Sequence, residues 1–341
     1  MFTAQRCLPT CGETASQLRG ELRALEHGAL RVQLARFLGA GGPGASQLDT
    51  FVDYGATDGV AAAAVAKEEG IELDLVSSLN PKLVEKNPSF FSELPQFEPS
   101  LTSEAGSRSI AYVGVGEVGP TLTELLSRAG GAGLGGALKD LSGRLRKEAG
   151  VDPLSDLLPA LGGQAALVAE ATDGVPFASL IVDGVDAEQA AEALAKLQRP
   201  LLRALGTGGG RQVPAFKETE VEGVPVRSVQ VSPTINLSYA VFDDKLVVST
   251  APEGVAQVRG EPDSLKDSEP FERATDDLPD EVSALLFLNL DELFGQVTRT
   301  DLVEDPFFAN LSVLFDNATS VALAVNGEEE LIRSELFLAL D

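Results

Sequence analysis

Strand-like runs in this chain come in neighbouring pairs, joined by turns too short to hold a crossover. Val60 to Ala66 and Ile71 to Leu79 flank Lys67-Glu68-Glu69-Gly70. Ala165 to Glu170 and Phe177 to Val182 flank Thr172-Asp173-Gly174. Phe216 to Glu222 and Pro225 to Val231 flank Gly223, and Leu237 to Phe242 and Lys245 to Ser249 flank Asp243-Asp244. A parallel pair needs a dozen or more residues to bring the chain back, so links this short predict antiparallel ladders. Further strands are expected at Ile110 to Val115, Ala284 to Leu290, Ser320 to Val325 and Leu331 to Leu340. Regular strand–helix–strand alternation is missing. The fold class predicted is α+β, with mainly antiparallel sheets flanked by helices.

Helical periodicity marks the remainder. Glu13 to Gly39 carries Leu18, Leu22, Leu25 and Leu30 on one stripe. Asn80 to Gln96 reads as a turn and a short helix bearing Phe90 and Phe91. Thr121 to Ala149 reads as helix interrupted at Gly130 to Gly136. Asp186-Ala187-Glu188-Gln189 is a capping box opening a helix to about Leu205, and Thr250-Ala251-Pro252-Glu253 opens a shorter one. Gly206 to Gly210 is the most flexible connector. These signals divide the chain into a helical segment at 1–50 and two α+β lobes at 51–205 and 211–341. The lobes read as related half-domains. Ile110-Ala111-Tyr112-Val113 aligns with Leu285-Leu286-Phe287-Leu288, and Asn87-Pro88-Ser89-Phe90-Phe91 resembles Ser268-Glu269-Pro270-Phe271. The turn at Lys67-Glu68-Glu69 likewise resembles that at Gly327-Glu328-Glu329. Coincidence between similar antiparallel patterns is the competing explanation.

Charge and rare residues narrow the function. The chain has 341 residues, with 26 Lys and Arg against 52 Asp and Glu, for a formal charge of −26. A nucleic-acid partner needs a cationic surface, so none is expected. Cys7, Cys11 and His27 are the only cysteines and histidine, too few for a four-ligand structural zinc site. The C-x3-C spacing either closes a small disulfide or carries no pairing. Leu8-Pro9-Thr10-Cys11 lacks the small residue and preceding apolar run of a lipid-anchor signal, and Met1 to Thr10 lacks a signal-peptide core. No run is long and apolar enough to span a bilayer.

Gly114-Val115-Gly116-Glu117-Val118-Gly119 matches the dinucleotide fingerprint G-x-G-x-x-G after a strand. Pro120 directly follows the third glycine, and helical sequence stands where a parallel strand ending in an acid should return. A strand end turning sharply is the expected reading. Gly130 to Gly136 lacks the Lys-Ser or Lys-Thr of a phosphate loop. Asp276-Asp277-Leu278-Pro279-Asp280-Glu281 lacks calcium-loop spacing and reads as solvated loop acids. No catalytic, cofactor-binding or metal-binding residue is singled out, and no cofactor is expected.

Several stretches carry a family resemblance. They are Ile110 to Gly114, Leu157-Leu158-Pro159-Ala160-Leu161-Gly162-Gly163, Leu237 to Thr250 and Leu278 to Leu288. The region from about 95 to 341 resembles an actinobacterial family, domain-of-unknown-function family 3352. The resemblance implies an uncharacterised protein, often tethered to the membrane by an amino-terminal helix with its body outside. This sequence shows no such tether. The resemblance offers no catalytic residues. The expected function is a non-enzymatic, envelope-associated module on the extracytoplasmic side that binds a ligand or partner. An apolar small molecule and an envelope protein are the candidates. The alternatives are a carboxylate-dependent hydrolase, with acids converging in a cleft, and a protein–protein interaction scaffold, with an exposed apolar patch.

Overall fold

The computed structural model describes residues 57–84, 94–119, 121, 143, 146–147, 157–204, 215–260, 263–299, 317–328 and 330–341. The helix expected at Glu13 to Gly39, Cys7, Cys11, His27, Phe90, Phe91, Gly130 to Gly136 and Gly206 to Gly210 lie outside these residues. Of the expected helix at Thr121 to Ala149, residues 121, 143, 146 and 147 are described, and they are helical.

Twelve strands form one sheet: β1 (Thr57–Ala66), β2 (Gly70–Leu79), β3 (Ser109–Val115), β4 (Ala165–Glu170), β5 (Phe177–Val182), β6 (Lys217–Val221), β7 (Val224–Gln230), β8 (Asn236–Phe242), β9 (Lys245–Ser249), β10 (Ala284–Asn289), β11 (Ala318–Glu328) and β12 (Leu331–Leu340). Their order is β1-β2-β12-β11-β10-β3-β4-β5-β9-β8-β7-β6, and every neighbouring pair is antiparallel. The helices are α1 (Ala187–Ala204), α2 (Glu253–Arg259), α3 (Glu269–Thr275) and α4 (Leu290–Val297), with single helical turns at Pro81–Val84 and Ser100–Ser103. The fold class is α+β with the sheet dominating.

Turn chemistry accounts for the hairpins. Glu222 and Gly223 have φ of 50° and 77° between β6 and β7, and Asp243 and Asp244 have 47° and 56° between β8 and β9. Positive φ at both central residues is the two-residue turn whose twist suits a hairpin. At the β4–β5 turn, Thr172 Oγ1 accepts from the Gly174 amide at 3.0 Å and donates to the Val175 carbonyl at 3.0 Å. Asp186 caps α1 as expected, its Oδ1 accepting from the Gln189 amide at 3.0 Å. The second expected cap is not made. Thr250 Oγ1 instead accepts from the Ala178 amide at 3.0 Å, because β9 pairs with β5 and draws the hydroxyl there.

The strands of 51–205 and 211–341 are interleaved at three junctions, β2 with β12, β3 with β10 and β5 with β9. One sheet face, here the first face, holds the main core. Tyr112, Val168, Ile181, Leu285 and Phe287 pack there under Val255 and Val258 of α2, Phe271 and Ala274 of α3, and Leu101 and Ala105 around the 3₁₀ turn. Phe271 meets Phe287 edge to face at 5.1 Å. On the second face, Ala190 and Leu194 of α1 pack with Val182, Leu246, Val241 and Val248 of β5, β9 and β8.

Candidate functional site

Strands buried on both sides read as unbroken apolar runs rather than alternating ones. Ala284-Leu285-Leu286-Phe287-Leu288, Ala165-Ala166-Leu167-Val168-Ala169 and Val321-Ala322-Leu323-Ala324-Val325 are such runs. One side of each goes to the core. The other side supplies the second face, and the ladder registers align it into rows. Leu73 pairs with Leu336, Leu336 with Leu323, Leu323 with Leu286, Leu286 with Val113, Val113 with Leu167 and Leu167 with Leu180. Ile71, Leu338, Val321, Leu288, Ala111 and Ala169 make a second row beside it.

These side chains are not packed away. Leu167 is 54% exposed, and Ile71, Leu73 and Leu286 are 40–41% exposed. Across the ten strands from β1 to β8 in sheet order, no ladder-paired position on this face carries a charge. Arg227 of β7, opposite Tyr239, is the first charged residue met, with Glu218 of β6 beyond it. Among the described residues, α1 covers the β5–β9–β8 end. The span from β2 to β5 crosses six strand spacings, about 29 Å, and the two rows with their neighbours extend about 14 Å along the strands. That is about 400 Å², the size of the largest apolar patch on an ordinary monomer, and such a patch is often functional. In a chain carrying −26, the segregation is pronounced.

Carboxylates gather on the first face instead. Glu335 pairs with Asp74 across β12 and β2, with Glu72 and Arg333 nearby. Partial burial raises both carboxyls above their ordinary range. Repulsion from Glu72 adds to it at Asp74, and repulsion from Asp74 adds to it at Glu335. Lys67 bridges Glu72 at 2.8 Å and Asp277 at 3.3 Å. Apart from this cluster, Glu170 is buried outright at 3% exposure. Its Oε1 accepts from the Gly106 amide at 2.8 Å and Gln257 Nε2 at 2.8 Å, and Ser109 Oγ lies at 2.6 Å. Burial raises its carboxyl; the Ser109, Gln257 and Gly106 hydrogen bonds and Arg108 offset part of that. The acids at Asp276, Asp277, Asp280 and Glu281 are all exposed.

Each glycine of the G-x-G-x-x-G stretch meets packed protein. A Cβ on Gly114 would stand 2.8 Å from Cε1 and Oη of Tyr112, whose ring lies along the strand over it. On Gly116 it would meet Phe97 at 3.0 Å, and on Gly119 the Leu161 carbonyl at 3.0 Å. The corner itself is Glu117, with φ of 40°. The amides beyond it are committed, Val118 to the Gly163 carbonyl at 2.9 Å and Thr121 to the Glu117 carbonyl at 3.0 Å. Gly114→Ala should displace the Tyr112 ring and destabilise the fold by about 1–3 kcal/mol, read by urea unfolding. NAD should leave the melting temperature of both proteins unchanged; protection of the parent chain by NAD would reverse this reading.

The apolar face went unread in the sequence, although the lack of alternation in the central strands was its signal. Helix α4 was missed as well. Asn289 caps it by accepting from the Glu292 amide at 3.0 Å, and Asn-x-x-Glu after a strand announces such a cap. Among the described residues no helix is long and apolar enough to cross a membrane.

Comparison with known proteins adds the following. A family model described as "Protein of unknown function (DUF3352)" matches residues 49–340. No curated protein matches. Two solved structures, of crystal forms I and III of TP0453, are similar to the chain at 10% identity and a TM-score of 0.32. Each alignment covers 70% of this chain, and 78% and 79% of theirs, respectively.

Proposed function

The chain belongs to DUF3352, a family of proteins of unknown function, and from that premise we propose that it is a non-enzymatic binding module whose second sheet face receives an apolar ligand. The observation that carries this is the uncharged, half-exposed double row from Leu73 to Leu180. Ligand sites are mostly apolar, with few polar groups at their margins. The face has that character from β2 to β5; beyond it α1 covers β9 and β8, where Tyr239 is buried and accepts from Gln198 Nε2 at 2.6 Å. We further propose that the module acts at the cell envelope on the extracytoplasmic side, on the support of the sequence resemblance.

Two related lobes are part of the same proposal. Tyr112 and Phe287, which the sequence alignment equates, stand directly opposite each other on β3 and β10, with six strands beyond β3 and four beyond β10. A two-fold axis between duplicated halves would pass there. The raised Asp74–Glu335 pair favours a second reading, a carboxylate-dependent hydrolase, although Arg333 and Lys67 beside it also suit a structural ion cluster. An interaction scaffold would use the same apolar face for a protein.

Native mass spectrometry of the chain purified from its own host tests the proposal. A retained small molecule, released by organic solvent, is expected. After such extraction the chain should take up a fluorescent long-chain fatty acid. A chain at its sequence mass that takes up no probe would refute ligand carriage, and a co-purifying protein held by this face would establish the scaffold instead.

A further inference from the structure

The sheet is open, and its two edges differ. At one end β6 has five residues, among them Lys217, Glu218 and Glu220, and the first four are exposed. Charges on a short edge strand discourage pairing with another chain. At the other end β1 has ten residues, and from Gly59 to Ala66 it reads Gly-Val-Ala-Ala-Ala-Ala-Val-Ala with no charge. Ala62, Ala64, Val65 and Ala66 are exposed, and β2 is the one strand neighbour of β1 among the described residues. A long, uncharged edge with free backbone donors and acceptors is a template for strand addition.

We infer that β1 is a docking edge for a second copy of this chain, which adds its own β1 antiparallel and continues the sheet. Self-pairing about a two-fold sets each residue against its own symmetry mate or a near neighbour. About Ala63, residues Val60 to Ala66 meet only Ala and Val; about Ala62, Val65 and Ala66 meet Gly59 and Asp58; neither arrangement sets like charges or bulky side chains against each other within this stretch. Charge selects the place. Two chains of −26 each repel, and this uncharged stretch lets their backbones meet without juxtaposing acids. The second face is also uncharged out to β1, so pairing merges two apolar faces into one wider surface. The two-fold lies at Ala62 or Ala63, since an axis perpendicular to the sheet keeps each face in register with itself.

Analytical ultracentrifugation of the full chain should show a dimer. Lysines at Ala63→Lys and Val65→Lys together should weaken it more than about tenfold, with the urea midpoint retained. In a Cys7→Ser, Cys11→Ser background, either Ala62→Cys or Ala63→Cys should cross-link on mild oxidation, while Thr219→Cys on β6 should not. The cysteine variants decide the matter if the lysine variant fails to fold. A monomer at every concentration, a dimer indifferent to the lysines, or cross-linking through position 219 would each overturn the inference. These readouts report mass and not ligand, so they stand or fall apart from the binding proposal.

Discussion

Replacing Leu286 with aspartate is expected to remove uptake of a fluorescent long-chain fatty acid while the chain stays folded. Leu286 sits mid-row on β10, between Leu323 of β11 and Val113 of β3, and is 40% exposed. Its exposure means that the free protein can hydrate a carboxylate there. A bound apolar chain would strip that water, and an unpaired carboxylate in an apolar site costs several kcal/mol. Affinity should fall by more than about a hundredfold. Leu286→Ala removes contact without adding charge and should cost about tenfold. Val175→Asp is the matched control, because Val175 is 61% exposed in the β4–β5 turn, away from the rows. Fluorescence titration, with urea unfolding to verify the fold, separates the cases. Equal affinity in the Leu286 and Val175 aspartate variants would remove the second face as the site.

Glu170→Ala is expected to be the most damaging substitution to stability, and Glu170→Gln nearly harmless. The carboxylate serves the Gly106 amide, Gln257 and the Ser109 hydroxyl, tying the loop before β3 and helix α2 to the end of β4. Alanine leaves buried donors without an acceptor, at about 3 kcal/mol or more. Glutamine keeps the accepting oxygen. The pH dependence follows from the direction of the shift. Burial raises the folded carboxyl above its ordinary value of 4.5, so the folded state binds its proton more tightly than the unfolded one. Stability from this group is therefore fully present below pH 4.5 and declines as pH rises through the raised folded value. Glutamine has no such slope. The stability of Glu170→Gln relative to the parent should thus improve as pH climbs through that window, then level off. Urea midpoints from pH 4 to 8 would show it. A difference that is flat with pH, or an alanine variant as stable as the parent, would mean that Glu170 does not hold this junction.

Much of the architecture was legible locally. The ends of β4, β5, β9 and β12 fall where the runs of apolar residues predict them. The positive-φ turns at Glu222-Gly223 and Asp243-Asp244 sit where Gly and Asp mark them. The candidate site was less legible. Residues such as Leu167 and Leu286 belong to runs that look like core, and an apolar run does not say which of its two sides will be covered. Glu170 gave no signal either, since a Glu ending a strand reads as a solvated edge. Its burial depends on Gly106 and Gln257, which lie 64 and 87 residues away.

Strand position, tight turns and antiparallel sense were determined by the amino-acid sequence alone. Steric limits and turn conformations act within a few residues and need no distant partner. The tertiary structure alone decided that β2 meets β12, β3 meets β10 and β5 meets β9, making one sheet from two stretches of chain. Those junctions join edges of similar composition, which local pattern cannot tell apart. Their choice depends on burying the first face under α2 and α3 as a unit, and that choice aligns the uncharged rows of the second.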